Sequence, residues 1–254
     1  MSIEDAAEEV EVDGVKETVK VIIHALILAL IVRVFIYQPF NIPSGSMKET
    51  LLIGDYLFVS KMSYGYSKYS FPFSPDLFDG RFIGDAPERG DVAVFKLPSD
   101  NETDYIKRVI GLPGDTVQMR DGTLYLNGKM IPKVRDGSFA TKDYYGRSVV
   151  VPRYKETLPN GIVYHVLDTD PEGPFDNTGI FRVPEGHFFM MGDNRDNSSD
   201  SRARRGVGVG YVPLENFVGR AEVLFFSADE TWSIFKPWNW PSSIRWSRFF
   251  NLIR

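Results

Sequence analysis

The longest apolar run of the chain lies near its N-terminus, where a mostly apolar stretch of 17 residues extends from Val21 to Tyr37. As an α-helix this run would be about 25 Å long, close to the thickness of the hydrocarbon core of a bilayer. His24 and Arg33 interrupt it near its two ends, where polar side chains reach the headgroup region. The pattern predicts one membrane-spanning anchor, to which we assign residues 21–39.

Three other interpretations of this run fit less well. A cleavable signal peptide has a basic leader, whereas residues 1–20 carry seven acidic residues against two lysines. A buried helix of a soluble protein or a helix on a lipid surface would need a polar face, which is missing. Lys16 and Lys20 precede the run, and no basic residue follows it until Lys48. This predicts a cytoplasmic acidic tail (residues 1–20) and an extracytoplasmic body.

Beyond the anchor, short alternating runs rich in valine predict β-strands. The clearest signal is Val117–Ile131, where Asp121-Gly122 and Asn127-Gly128 separate three short runs, because these dipeptides supply the positive φ values of tight hairpin turns. Frequent proline, glycine and aspartate between Arg135 and Phe181 predict long loops. Further strands are predicted at Asp91–Leu97, Tyr105–Ile110, Ile162–Leu167, His187–Met191 and Val218–Phe226. The body is expected to be mainly β.

The C-terminal segment, residues 228–254, differs from the body in composition. It holds all four tryptophans and four basic residues, with no acidic residue after Glu230. Aromatic and cationic residues together suit a bilayer surface, and the same composition fits a tryptophan-rich cap over the core. No apolar run in this segment is long enough for a second span.

Composition excludes several classes of protein. The chain has no cysteine, which excludes disulfide scaffolds, cysteine-ligated zinc, iron–sulfur clusters and thiol nucleophiles. Its net charge of −5 arises within residues 1–20, so the rest of the chain is neutral and implies no basic face for nucleic acid. The chain also lacks the motifs of phosphate loops, serine elbows and zinc peptidases.

Two polar groups stand where packing alone does not require them. Ser44-Gly45-Ser46 presents two hydroxyls on a loop after the anchor, although serine-rich turns without chemistry are common. Lys107 lies within an apolar strand next to Ile106, although most strand lysines point to solvent. Burial that lowered a lysine pKa by about 3 units from about 10.4 would give a neutral amine near pH 7 to 8. Such an amine can act as a general base.

A third segment, Gly192–Arg205, is dense in Asp, Asn, Ser and Arg. A calcium loop begun at Asp193 fails, because Arg204 falls where the closing glutamate belongs. The segment is therefore either a solvated loop or a hydrogen-bonded platform that orients a catalytic group. A histidine-dependent serine hydrolase using His165 or His187 also remains open.

Together these segments resemble the type I (leader) signal peptidases of bacteria, which are membrane-anchored serine proteases of the Ser-Lys kind. Four blocks carry the resemblance, in order: IPSGSM at Ile42–Met47 with LLIGD at Leu51–Asp55, RGDVAVF at Arg89–Phe95, DYIKRVIGLPGD at Asp104–Asp115, and GDNRDNSSDSR at Gly192–Arg202. The match extends from about residue 40 to residue 226. Some members have two membrane spans, whereas this chain shows one.

The resemblance implies the roles of the site residues. Ser46 would be the nucleophile and Lys107 the general base, while the Ser44 hydroxyl and the Ser46 backbone N–H would form the oxyanion hole. Ser198 would orient the Lys107 amine, and Asp200 would hold both Arg108 and Arg202. The residues implied to line shallow pockets for small substrate side chains are Phe40, Ile42, Pro43 and Ile106.

The resemblance also implies a domain arrangement. An antiparallel-sheet catalytic core (residues 40–115 and 187–227) would be interrupted by an inserted β domain (residues 116–186), whose residue roles do not transfer because that region varies in the family. One N-terminal transmembrane helix would precede this mainly β fold. No metal or organic cofactor is implied.

These expectations define a function and two alternatives. We expect a membrane-bound serine endopeptidase of the bacterial cytoplasmic membrane that removes signal peptides from preproteins after Ala-x-Ala-like sites. Its partners would be preproteins and membrane lipid, close to the secretion translocon, and not nucleic acid. A self-cleaving Ser-Lys protease and a non-enzymatic, membrane-tethered β adaptor remain open.

Overall fold

The computed structural model describes residues 3–76, 78–142, 146–170, 172–203 and 208–254, with side chains from residue 15 onward. A long helix, α1 (Ile3–Phe35), precedes a body of short strands, and a four-residue helix, α2 (Trp240–Ser243), lies in the C-terminal segment. The strands are β1 (Tyr37–Asn41), β2 (Asp55–Ser60), β3 (Tyr66–Ser67), β4 (Arg81–Phe82), β5 (Val92–Lys96), β6 (Asp104–Gly111), β7 (Thr116–Arg120), β8 (Thr123–Leu126), β9 (Lys129–Met130), β10 (Lys133–Lys142), β11 (Ser148–Thr157), β12 (Val163–Leu167), β13 (Phe181–Arg182), β14 (His187–Met191), β15 (Tyr211–Pro213) and β16 (Phe217–Ser227). The expected mainly β fold with one N-terminal apolar helix is confirmed.

The apolar part of α1, Val15–Phe35, has a mean hydropathy of 2.2 and is not buried against the body. It is long and apolar enough to cross a membrane. The predicted end of the anchor at residue 39 is wrong, because α1 ends at Phe35 and Tyr37 already pairs with Ser60 in the first strand pair. Pro39 accounts for this early end, since the residue before a proline avoids the helical conformation.

A seven-stranded sheet forms the part of the body next to α1. Its strand order is β1-β2-β16-β5-β6-β14-β15, and every pairing in it is antiparallel. The central strands β5 and β14 are buried over nearly their whole length because side chains cover both faces of the sheet. β6, which carries Lys107, lies between these two strands.

The strands between residues 116 and 182 form two further antiparallel sheets. One has the order β13-β7-β8-β9, and its two hairpin turns have the positive φ values expected at Asp121, Gly122, Asn127 and Gly128. Residues of this sheet and of β6 and β14 share one hydrophobic cluster, which includes Ile110, Val117 and Phe189.

The other sheet, β10-β11-β12, corrects the prediction of long loops between residues 135 and 181. Two ten-residue strands, β10 and β11, lie in that region. Most side chains of β10 are exposed or half-buried, so the strand lacks the alternation of apolar residues that predicts strands from sequence. Its pairing with a neighbouring strand, which local sequence does not encode, supplies the hydrogen bonds.

The C-terminal segment packs along β16. Backbone hydrogen bonds join Leu224 to Asn251 and Ile253 to Glu222, and the Arg248 guanidinium donates to the buried Asp55 carboxylate at 2.5 Å. Phe235 and Trp238 remain exposed. The segment is thus a cap over the sheet, and its contact with a lipid surface remains a prediction.

Candidate active site

Ser46 lies on the turn between β1 and β2, at the surface of the core. Met47 and Leu51 are fully buried and fix this turn in a hydrophobic cluster with Ile42 and Leu57. The turn is closed by backbone hydrogen bonds from Leu51 N–H to Met47 C=O (2.8 Å) and from Lys48 N–H to Gly45 C=O (3.1 Å). Ser46 is itself largely buried, at 8% exposure, and it lines a cleft beside the turn.

The side chain of Lys107 reaches Ser46 from the middle of β6. Its Nζ donates to Ser46 Oγ at 2.7 Å and to the Ile106 carbonyl at 3.0 Å. The residue is 3% exposed. Burial lowers the pKa of Lys107 to about 8, although the charges of Asp200 and Asp193 oppose the shift. A lysine with this pKa is neutral in a substantial fraction of molecules near pH 8.

Ser44 stands beside the pair. Its hydroxyl oxygen lies 3.5 Å from Ser46 Oγ, on the exposed side of the turn. This places a second hydroxyl next to Ser46 Oγ, and its role as an oxyanion donor stays a prediction. The backbone N–H of Ser46, the other predicted donor, belongs to the same turn.

The pair lies in a cleft of about 800 Å³. All four residues predicted to form substrate pockets line this cleft: Phe40, Ile42, Pro43 and Ile106. They come from β1, the turn after it and β6, so the apolar wall lies beside Ser46. On other sides the cleft is lined by Thr141 of β10 and Val149 and Val151 of β11, which sequence analysis placed in loops.

Asp200 is predicted to hold both Arg108 and Arg202, and only its contact with Arg202 is present. Asp200 holds Arg202 through two hydrogen bonds, from Nε at 3.0 Å and from Nη2 at 2.9 Å, and both side chains are buried. Burial alone would raise the pKa of Asp200, but the charge of Arg202 and a bond from the Gly192 N–H outweigh it and lower the pKa.

Arg108 is not held by Asp200, which corrects the prediction. Its guanidinium instead binds Asp193 in a two-pronged pair, with Nε–Oδ1 at 2.9 Å and Nη2–Oδ2 at 2.7 Å. Both side chains are buried, and Thr50 Oγ1 also donates to Asp193 at 2.5 Å. Arg108 lies next to Lys107 on β6, and Thr50 lies on the Ser46 turn, so this pair ties the two elements together.

Ser198 does not contact the Lys107 amine, which corrects a second prediction. Its buried hydroxyl has no hydrogen-bond partner within the part of the chain that the structure describes. The hydroxyl faces Gly192 instead: a Cβ on Gly192 would stand 2.2 Å from Ser198 Oγ and 2.5 Å from the Ser46 carbonyl. Ile106 supplies the acceptor that orients the amine.

Sequence analysis missed Asn194 as a member of the site. Its backbone N–H donates to the Ser46 carbonyl at 3.0 Å, and its side-chain amide donates to the Gly45 carbonyl at 2.8 Å. The residue lies within the quoted block at 192–202, but a contact 148 or 149 residues apart along the chain leaves no local signal. The block thus serves as the platform that holds the turn of Ser46.

Neither His165 nor His187 contacts Ser46 in the part of the chain that the structure describes. His165 binds Asp136 at 2.7 Å and Glu49 at 3.3 Å, and His187 binds the Glu185 carbonyl. A histidine-dependent hydrolase therefore gains no support from this geometry.

Three carboxylates stand close enough to hold a cation: Asp168, Asp176 and Asp196. Lys133 already forms an ion pair with Asp168, and the backbone N–H groups of Thr169 and Asp170 donate to Asp196. The group is thus a structural cluster around a lysine, and it takes no part in the cleft.

A hydroxyl in contact with a buried amine, beside a preformed cleft, is typical of hydrolases with a serine nucleophile. The comparison with known families agrees, because residues 15–226 match the family model "Signal peptidase, peptidase S26". The chain therefore belongs to the S26 family of signal peptidases, which confirms the predicted resemblance and an enzymatic function.

Sequence similarity to known proteins extends over most of the chain. It is 44% identical to "Signal peptidase I" of Rickettsia typhi over 241 residues, which is 88% of each protein. It is 42% identical to the protein of the same name from Rickettsia prowazekii over 240 residues, again 88% of each. A crystal structure of a signal peptidase I from Enterococcus faecalis is 27% identical and covers 54% of this chain and 97% of that chain, with a TM-score of 0.31.

Proposed function

We propose that this chain is a membrane-anchored endopeptidase that removes signal peptides from exported preproteins with a Ser46–Lys107 dyad. The observation that carries the proposal is the 2.7 Å contact between Lys107 Nζ and Ser46 Oγ inside a cleft. It agrees with membership in the S26 family. The apolar helix α1 supplies the anchor.

In the first step the neutral amine of Lys107 accepts the proton of Ser46, and Ser46 Oγ attacks the carbonyl carbon of the scissile peptide bond. The oxyanion that forms accepts hydrogen bonds from the Ser46 N–H and the Ser44 hydroxyl. Lys107, now protonated, gives its proton to the leaving amine. A water molecule then hydrolyses the acyl-enzyme, with Lys107 as the base again.

The cleft favours small side chains on the substrate. Its apolar wall is formed by Phe40, Ile42, Pro43 and Ile106, and the family resemblance implies that these residues shape shallow pockets for alanine-sized groups. We infer that such pockets exclude larger side chains, so that cleavage would follow Ala-x-Ala-like sites. Ser46 follows the end of α1 by only 11 residues, so the reactive hydroxyl stays near the bilayer where a signal peptide ends its apolar core.

The charge pattern around α1 sets the proposed orientation. Lys16 and Lys20 precede the apolar part of the helix, so the N-terminus would face the cytoplasm and the catalytic body the extracytoplasmic side of the bacterial inner membrane. This side is where exported preproteins leave the secretion translocon.

The test is cleavage of a reporter preprotein by the full-length protein in detergent, with the products identified by mass. We expect wild type to cut after the small-x-small site, and Ser46→Ala and Lys107→Ala each to abolish cleavage. Ser242→Ala and Lys155→Ala, which change exposed residues far from the cleft, serve as matched controls. Normal turnover by Lys107→Ala would refute the dyad.

The cleavage assay and a complementation assay in cells separate the alternatives. Cleavage of the protein itself, with an untouched preprotein, would indicate the self-cleaving protease. Normal growth of cells that depend on a Ser46→Ala copy would indicate the non-enzymatic adaptor.

A further inference from the structure

A second cavity, of about 860 Å³, opens where α1 ends and the body begins. Leu30 and Arg33 of α1 form one wall, and Lys61, Phe71 and Phe73 form another. The backbone N–H of Lys61 donates to the carbonyl of Ile36 at 3.0 Å, which fixes Lys61 beside the end of the helix. The cavity therefore sits where the anchor leaves the hydrocarbon core.

Lys61 is a cation that the fold has buried without a counter-ion. It is 2% exposed, and its Nζ donates to the Ser70 carbonyl. Among the described residues no carboxylate lies within ion-pair distance of it. Burial and, to a lesser extent, the charge of Arg33 together lower the pKa of Lys61 to about 8. Burying a cation away from any anion is unfavourable.

Arg33 is the second uncompensated cation of the cavity. It lies in the last turn of α1, and its guanidinium has no ion pair or hydrogen bond within the described part of the chain. Arg33 and Lys61 line the same cavity, and the charge of Arg33 acts on Lys61. An anion in this cavity would therefore be attracted by both cations.

The remaining charged groups of the cavity are already engaged or face elsewhere. Lys68 pairs with Asp76 at 3.1 Å, and Lys96 pairs with Asp104 at 2.9 Å. The Asp100 carboxylate accepts three hydrogen bonds from its own loop, at residues 102 and 103. Glu102 is exposed at the rim, and neither it nor any other acid offsets the lowered pKa of Lys61.

We propose that Lys61 and Arg33 bind the phosphate group of an anionic membrane lipid, whose acyl chains lie along α1. A phosphodiester carries one negative charge and could serve as the counter-ion of the two cations. Guanidinium and ammonium groups are the usual hydrogen-bond donors to phosphate. The apolar walls at Leu30 and the fully exposed Phe73 suit the lipid rather than a free anion. The inference assumes only that α1 enters the membrane.

The test measures lipid binding to the full-length protein in a non-ionic detergent. Native mass spectrometry titrates phosphatidylglycerol, phosphatidylcholine and inorganic phosphate against wild type, Arg33→Gln, Lys61→Met and Lys96→Gln. Lys96→Gln is the matched control, because Lys96 lines the same cavity but is already paired with Asp104.

We expect phosphatidylglycerol to bind wild type and Lys96→Gln equally, and to bind Arg33→Gln and Lys61→Met about tenfold more weakly, since each loses a charge-assisted bond. Phosphatidylcholine should bind more weakly than phosphatidylglycerol to wild type, because its own cation offsets the phosphate. Equal binding of phosphatidylglycerol by wild type and Arg33→Gln would overturn the proposal. So would displacement of the lipid by an equal concentration of inorganic phosphate, or equal affinity for phosphatidylcholine.

Arg33→Gln changes an exposed side chain, so the test holds even if Lys61→Met fails to fold. The readout is binding and not cleavage, so this result is independent of the proposed peptidase mechanism.

Discussion

The side-chain amide of Asn194 donates a 2.8 Å hydrogen bond to the carbonyl of Gly45, one residue before the proposed nucleophile. Its backbone N–H holds the carbonyl of Ser46 itself. The segment after β14 thus holds the turn of Ser46 by hydrogen bonds to its backbone. The position of the Ser46 hydroxyl therefore depends on residues almost 150 positions away.

Asn194→Ala should lower kcat without a comparable change in KM, because the turn of Ser46 loses one of its two hydrogen bonds to Asn194. We expect a loss of about 10- to 100-fold, as for a small misplacement of a reacting group. Steady-state kinetics on a reporter preprotein measure it. Asn160→Ala is the control, since the Asn160 amide binds the Arg89 carbonyl outside the cleft. A KM increase with unchanged kcat would show that Asn194 acts on substrate binding instead.

The rate of cleavage should follow the ionisation of Lys107. Its pKa is lowered to about 8, and only the neutral amine can accept the Ser46 proton, so kcat/KM should rise about tenfold per pH unit below pH 8 and level off above it. A pH series at constant ionic strength measures this profile. A profile that is already flat between pH 6 and pH 8 would contradict a lysine base.

Ser44→Ala should reduce kcat by about 10²–10³, the usual cost of losing one oxyanion donor. The Ser44 hydroxyl lies 3.5 Å from Ser46 Oγ, and the carbonyl oxygen of a bond attacked by Ser46 would become the oxyanion beside it. Ser44→Thr keeps the hydroxyl and should recover most of the activity. If alanine and threonine variants were equally slow, the loss would come from the turn and not from the missing donor.

Replacement of Lys107 by methionine should stabilise the fold at pH 7. The folded-state pKa is lowered from 10.5 to about 8, so below pH 8 the folded protein bears a buried charge that costs on the order of 3 kcal/mol. Between pH 8 and pH 10.5 the unfolded chain binds more protons, so wild-type stability rises with pH and the gain from methionine shrinks.

Thermal unfolding at pH 7 and pH 10.5 checks this expectation. Lys155→Met, at an exposed position, should leave the melting temperature nearly unchanged at both values. An equal effect of Lys107→Met at the two pH values would mean that packing, and not charge, sets the difference.

Asp193→Ala should destabilise the protein by about 3–5 kcal/mol, because it leaves the Arg108 guanidinium buried without its partner. The exposed pair of Lys142 and Glu230 offers the contrast, since Glu230→Ala should cost less than about 1 kcal/mol. Chemical denaturation of both variants measures the two effects. A similar small loss for both would show that the Arg108 pair contributes little to the fold.

Several features of the fold could be predicted because their signals are local. The tight turns at Asp121-Gly122 and Asn127-Gly128 follow from residues that tolerate positive φ, and both have it. The N-terminal apolar helix follows from a long run of mostly apolar residues. β10 could not be predicted, because an exposed strand is stabilised by pairing and shows no apolar alternation.

The family, the apolar N-terminal helix and the Ser46–Lys107 pair proposed for catalysis could all be predicted, because motifs and apolar runs are properties of neighbouring positions. Only the folded chain shows that Lys107 is buried, that Asp193 rather than Asp200 holds Arg108, and that Ser198 faces Gly192. It also shows that Lys61 and Arg33 line one cavity. Burial, ion pairing and pKa depend on contacts between residues that are far apart in sequence. These contacts form only when the strands have paired and packed.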